Sequence, residues 1–144
     1  MKIAALDLGK FNSVSCVYDT NTGVHCFGKL PTIPQAVHDW LVAINPDRLV
    51  IEIGSQAGWI RDLALGLDVD LQVANTNDER WYWHRVKVKT DQTDALKLAK
   101  ISAADELSTI TISDTSVRQW RSLIRFRQQL MGRRVACQNH IRSL

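Results

Sequence analysis

The first apolar run of the chain, Ile3-Ala4-Ala5-Leu6-Asp7-Leu8 within residues 2–8, is almost unbroken. That is the pattern of a central strand buried on both faces. Gly9-Lys10-Phe11-Asn12-Ser13 then carries turn chemistry, and Val14-Ser15-Cys16-Val17-Tyr18 alternates as a second strand. Asp19-Thr20-Asn21-Thr22-Gly23 forms a further turn, with Val24-His25-Cys26-Phe27 as a third strand. The chain therefore opens as a three-stranded antiparallel meander.

The rhythm changes at Pro34, which fits the first turn of a helix with Ala36, Val37, Trp40, Leu41 and Ile44 on one face. Asn45-Pro46-Asp47 stops it, and Arg48–Ile53 reads as a fourth strand. Gly54-Ser55-Gln56 leads into a helix over Ala57–Leu67, and Val69–Val73 gives a fifth strand. The order strand, helix, strand favours parallel additions to a sheet. Residues 75–90 show no clear period. A helix is predicted from about Thr90 to Ala104, an extended stretch over Leu107–Ile112, and a long helix to the end. Ser113-Asp114-Thr115-Ser116 offers its N-cap. Unbroken, residues 116–144 would span roughly 40 Å at ~1.5 Å per residue.

These elements describe an α/β chain with a ribonuclease-H-like layout: a mixed five-stranded sheet flanked by helices, with a long C-terminal helix. Residues 1–112 would form the sheet domain and 113–144 a basic helix. At 144 residues the chain is long enough to bury a real core. No apolar stretch approaches the ~20 residues of a membrane span. An acid at position 7 comes too early for a signal peptide, so a cytosolic location is expected. The three cysteines, Cys16, Cys26 and Cys137, are scattered and lack metal-ligand spacing, so they read as buried reduced thiols. Cys16 and Cys26 are placed to face each other across a hairpin, although a cytosolic disulfide is not expected.

The net charge of +3 conceals an asymmetry. From Arg118 onward there are seven arginines and no acid, so the first 117 residues hold 11 of the 18 basic residues against all 15 acids, a net of −4. An acidic body carries a basic arm. Within that body, Asp7 and Glu52 interrupt apolar strands, and Asp91 and Asp94 stand three apart where a helix begins. Carboxylates in apolar strands cost free energy unless they are paired or bind a cation. In a ribonuclease-H-like sheet the first and fourth strands can be neighbours, which would set Asp7 beside Glu52. A helix start on the same sheet would bring Asp91 and Asp94 to them, and residues three apart share a helix face. Clustered carboxylates raise one another's pKa unless a cation neutralises them. Hard oxygen donors favour Mg²⁺ or Mn²⁺, and two such ions ~3.5–4 Å apart can activate an attacking oxygen and stabilise a leaving one in phosphodiester cleavage. Each acid also has a simpler use. Asp7 can end a strand, Glu52 can pair with a nearby base, and Asp91 can cap its helix for about 1 kcal/mol while Asp94 adds first-turn charge.

Leu6-Asp7-Leu8-Gly9-Lys10, Ile51-Glu52-Ile53-Gly54 and above all Lys89-Thr90-Asp91-Gln92-Thr93-Asp94-Ala95 resemble the DEDD transposases. These insertion-sequence enzymes are related to the Piv-type site-specific DNA invertases and have a RuvC-like N-terminal domain. The resemblance covers most of the chain. It implies that Asp7, Glu52, Asp91 and Asp94 are the catalytic, metal-binding tetrad, that the ion is Mg²⁺ or Mn²⁺, and that the substrate is DNA in a bacterial or archaeal cell, at the nucleoid. Full-length relatives add a C-terminal domain with a nucleophilic serine, joined through long helices, so the chain is expected to end in the connector. Some relatives are guided by a structured RNA. The Trp81-Tyr82-Trp83 segment departs from the pattern.

Arg118, Arg121, Arg125, Arg127, Arg133 and Arg134 interleave with Trp120, Leu123, Ile124, Phe126, Leu130 and Val135 along the last helix. An acid-free arginine run suits phosphate contact, and the apolar stripe suits pairing in a homo-oligomer. A plain solvated helix face is the simpler reading. Arg85, Lys87 and Lys89 alternate beside the Trp81–Trp83 cluster, which can stack bases or pack in a core; His84 reads as a surface histidine. Two rival functions remain: a non-catalytic module binding RNA or DNA, and an actin-like or sugar-kinase ATPase half, which opens with a similar Asp-Leu-Gly.

Overall fold

The structure, a computed structural model, describes residues 1–76 and 90–144. It divides into two compact units, Met1–Ile112 and Ser113–Leu144. The first contains strands β1 (Lys2–Asp7), β2 (Asn12–Asp19), β3 (His25–Pro31), β4 (Arg48–Glu52) and β5 (Asp70–Ala74). Its helices are α1 (Pro34–Ile44), α2 (Ala57–Gly66) and α3 (Asp91–Ala103). The strands form one sheet in the order β3-β2-β1-β4-β5. β1, β2 and β3 are antiparallel neighbours, whereas β4 and β5 join in parallel. This is the ribonuclease-H-like arrangement that the periodicity predicts.

Strand alternation sorts the core into two layers. Ala4 and Leu6 of β1 and Leu49 and Ile51 of β4 pack with Val37 and Leu41 of α1 and with Ala57, Ile60 and Ala64 of α2. The intervening residues, Ile3 and Ala5 of β1 and Val50 of β4, face the other way and pack with Ala95, Leu98 and Ala99 of α3. Burial from both sides is why β1 and β4 read as continuous apolar runs.

Two local readings need revision, the end of β3 and the burial of the cysteines. β3 runs four residues beyond Phe27, to Pro31. As the edge strand it can end on a proline, because the missing N–H faces no partner strand. The stretch Leu107–Ile112, expected to be extended, adds one antiparallel bridge to the sheet, Ala74 with Thr109. Two hydrogen bonds hold it to the edge of β5, Asn75 N–H to Ser108 O at 2.8 Å and Ile110 N–H to Val73 O at 2.8 Å. That segment covers part of an otherwise open edge. Finally, only Cys16 is buried; Cys26 and Cys137 are exposed. Cys16 pairs across the hairpin with Phe27 and Cys26 with Val17, so the two thiols are offset by one register step. Burial pushes the Cys16 thiol up to about 11, with a further push from Cys26 and an opposing pull from Lys100. It is an inert core group at neutral pH.

Arg48, the first residue of β4, fastens the sheet to α3. Its side chain is 18% exposed and its Nε donates to Asp70 Oδ2 at 2.8 Å. Its Nη1 reaches Ser102 O at 3.2 Å, Ser102 Oγ at 3.4 Å and Asp105 Oδ1 at 3.3 Å. Burial would lower its pKa, but the hydrogen bonds and charges of Asp70 and Asp105 outweigh that and raise it. Buried Ser102 donates in turn to Gln72 Oε1 at 2.6 Å. Because Asp70 and Asp105 are 57% and 81% exposed, Arg48→Ala leaves no buried orphan charge. We expect a loss of about 1–3 kcal/mol, read as a lower urea midpoint at unchanged slope.

The second unit is the helix α4 (Thr115–Arg142), 28 residues or roughly 42 Å long at ~1.5 Å per residue. Asp114 caps it, its Oδ1 accepting from Val117 N–H at 2.9 Å and Ser116 Oγ at 2.9 Å. None of its residues is buried. Among the described residues no helix is long and apolar enough to cross a membrane.

Candidate metal centre and nucleic-acid interface

Asp7 is the last residue of β1 and Glu52 the last of β4. The parallel register pairs Leu6 with Ile51, so the next step along both strands sets Asp7 beside Glu52. Alternation gives their face. Ile3 and Ala5 lie in the layer packed on α3, as does Val50, so Asp7 and Glu52 fall on that same side of the sheet. Both are half-buried.

The direction of α3 decides whether its acids lie nearby. Ser102, near its C-terminus, is held by Arg48 at the start of β4. The helix therefore runs opposite to β1 and β4, and its N-terminus lies toward the strand ends that carry Asp7 and Glu52. The distances agree. From Ser102 back to Asp94 the helix covers roughly 12 Å at ~1.5 Å per residue. From Arg48 to Glu52 the strand covers roughly 13 Å at ~3.3 Å per residue. The sheet-facing stripe of α3 includes Ala95, Leu98, Ala99 and Ser102. Continued one turn back, it passes through Asp91 and Asp94. Four carboxylates thus share one end of one face.

The start of α3 is fixed by its own side chains. Thr90 Oγ1 accepts from Thr93 N–H at 3.1 Å, and Thr93 Oγ1 accepts from Thr90 N–H at 2.9 Å. This reciprocal capping box orders the first turn on which Asp91 and Asp94 stand. Asp91 is exposed and Asp94 half-buried.

Among the described residues no three His, Cys, Asp or Glu side chains stand close enough to hold a metal ion. The donor set still suits a hard divalent cation, since all four groups supply carboxylate oxygens.

The turn beyond Asp7 is tight. A Cβ on Gly9 would collide with the Asn12 carbonyl oxygen. Gln56, just before α2, donates to Gly9 O at 3.5 Å. The ring of Phe11 stands 73% exposed in this turn, with Lys10 Nζ 5.1 Å from its centroid. The sequence reading treated both as turn residues. The signal available was a large aromatic among turn formers, with no alternating partner.

The arginines of α4 divide. Arg118 and Arg121 fold back on the helix entry: Arg118 Nη1 donates to Ser113 O at 2.6 Å, and Arg121 Nη1 to Ser113 Oγ at 3.0 Å. Arg125, Arg127, Arg133 and Arg134 are exposed. Trp120, Leu123, Ile124, Phe126, Leu130 and Val135 are exposed alongside them. Arg85, Lys87, Lys89, His84 and the Trp81-Tyr82-Trp83 cluster lie outside the described residues.

Among solved structures, RuvC from Thermus thermophilus is similar to this chain at 13% identity, covering 76% of this chain and all of that one, with a TM-score of 0.49. No curated protein sequence matches it. The profile of the DEDD_Tnp_IS110 family, described as Transposase, matches residues 4–144 and so spans both units. That match leaves the actin-like or sugar-kinase alternative without support. The chain belongs to the DEDD_Tnp_IS110 family of transposases.

Proposed function

We propose that residues 1–112 form a metal-dependent catalytic domain that acts on DNA phosphodiesters, with Asp7, Glu52, Asp91 and Asp94 holding Mg²⁺ or Mn²⁺. The observation that supports this best is the placement of the four carboxylates toward one end of the sheet face that α3 covers, on two adjacent strand ends and one capped helix turn. A bound divalent ion would supply charge neutralisation and a polarised oxygen at the phosphodiester. The chain's own part is positional. Asp7 and Glu52 are carried on adjacent strands buried on both faces, while the α3 pair is set by the Thr90–Thr93 cap.

We read residues 113–144 as a basic connector toward a C-terminal domain that contributes a serine nucleophile. Arg125, Arg127, Arg133 and Arg134 would contact phosphates, as would Arg85, Lys87 and Lys89. Arg118 and Arg121 serve first to hold the helix entry. A structured guide RNA, assembly into a homo-oligomer through α4, and action at the nucleoid of a bacterial or archaeal cell complete the proposal.

One observation favours a second reading, a nucleic-acid-binding module that keeps the acids as structure: among the described residues no three of them stand close enough to hold an ion. Titration calorimetry with Mn²⁺ separates the two. Saturable binding that Asp91→Asn weakens by tenfold or more (about 1.4 kcal/mol) supports the catalytic reading, and EDTA should then abolish cleavage by the full-length transposase. Binding unchanged in Asp91→Asn would overturn it.

A further inference from the structure

The Lys10–Phe11 turn is unexplained by the packing of the fold. Phe11 is 73% exposed while 20 hydrophobic residues among the described ones form the buried core, so burial gains little from its ring. Its backbone is nevertheless held in place. Thr32 N–H donates to Phe11 O at 2.9 Å, and the Ser13 and Thr32 hydroxyls bond at 2.7 Å. Gly9, two residues earlier, packs against Asn12 and accepts from Gln56. An exposed ring on a fixed backbone is a preorganised contact that loses little entropy on binding.

Its charge setting narrows the partner. Lys10 Nζ lies 5.1 Å from the ring centroid, and among the described residues no salt bridge engages it. The surrounding body is acidic, with a net of −4 over the first 117 residues. Such a surface repels phosphates, so a strand brought to its acidic end needs a local cation and an anchor that does not depend on charge. A lysine supplies the first and a π-face the second.

We propose that Phe11 and Lys10 form a single-strand subsite at the rim of the acidic centre, Phe11 stacking on an unpaired base and Lys10 contacting the adjacent phosphate. The turn leaves β1 directly after Asp7, so a strand seated there is led toward the carboxylates. This rests on the reading of that end of the sheet as the site of DNA chemistry, and it makes Phe11 a positioning residue for the substrate strand.

The test uses the 144-residue chain, a single-stranded oligodeoxynucleotide carrying 2-aminopurine, and low-salt buffer with EDTA, so that neither metal nor cleavage enters. The wild-type chain should quench the probe. Phe11→Ala and Phe11→Leu should lose the quench and bind on the order of tenfold more weakly, whereas Phe11→Trp keeps both. Lys10→Gln should keep the quench but reduce the slope of log affinity against log salt by about 0.7. Leu65→Ala, on the exposed face of α2, should leave quench and affinity unchanged, and the EDTA separates this subsite from the metal reading. No quench by the wild-type chain, or unchanged quench and affinity in Phe11→Ala, would overturn the proposal even if Mn²⁺ binds the tetrad.

Discussion

Asp7→Asn should abolish DNA cleavage by the full-length transposase while leaving the sheet domain folded. The substitution keeps the side-chain shape and removes one charge, at a strand end rather than in the core. A bound divalent ion is worth several kcal/mol of charge stabilisation. At 1.36 kcal/mol per tenfold, its loss corresponds to about a thousandfold or more in rate. A readout independent of activity is available. Mn²⁺ at a hundred times its dissociation constant stabilises a folded protein by about 2.7 kcal/mol, or roughly 10 °C for a domain of this size. Wild type should show that shift and Asp7→Asn should show under about 2 °C. Full Mn²⁺ stabilisation or near-normal cleavage in Asp7→Asn would remove Asp7 from the site.

The second large effect is expected at Leu98. It is wholly buried, in the layer where α3 meets Ile3, Ala5 and Val50. Truncation to Ala in such a place costs about 2–5 kcal/mol, a large share of a total that is typically about 5–15 kcal/mol. The melting temperature should fall by roughly 10 °C. The same substitution should weaken Mn²⁺ binding, because α3 carries Asp91 and Asp94 on the stripe that Leu98 anchors. Leu65→Ala is the control: that leucine is exposed on α2, so its loss should stay within about 0.5 kcal/mol. A Leu98→Ala protein as stable as the control would mean that α3 does not pack on the sheet.

Much of this architecture was legible before the structure because one period dominates each element. The apolar runs of β1 and β4 announce burial on two faces, and the Pro34 helix presents Val37 and Leu41 inward as its spacing requires. The four acids stood out because charge in an apolar run needs a reason. Their placement on neighbouring elements was legible only through the assumed layout. Glu52 neighbours Asp7 through strand order, which no local pattern encodes. The direction of α3 depends on the long-range bond from Arg48 to Ser102, between residues far apart in the chain. The errors have local causes as well. Gly28 and Lys29 broke the alternation of β3, although Gly28 is suited to its place, since a Cβ there would meet Ser15 Oγ at 2.8 Å. Exposed Cys26 misled because the usual burial of cysteine does not extend to an edge strand.

The Thr90–Thr93 box has a consequence for the electrostatics of the site. The third position of a capping box is most often filled by Glu or Gln. Here threonine makes the reciprocal bond with a hydroxyl, so the helix is locked at its first turn without adding a fifth negative charge beside the other four. Mechanical order and charge number are thereby set by different residues: the threonines determine where α3 begins, and the aspartates remain available to a cation.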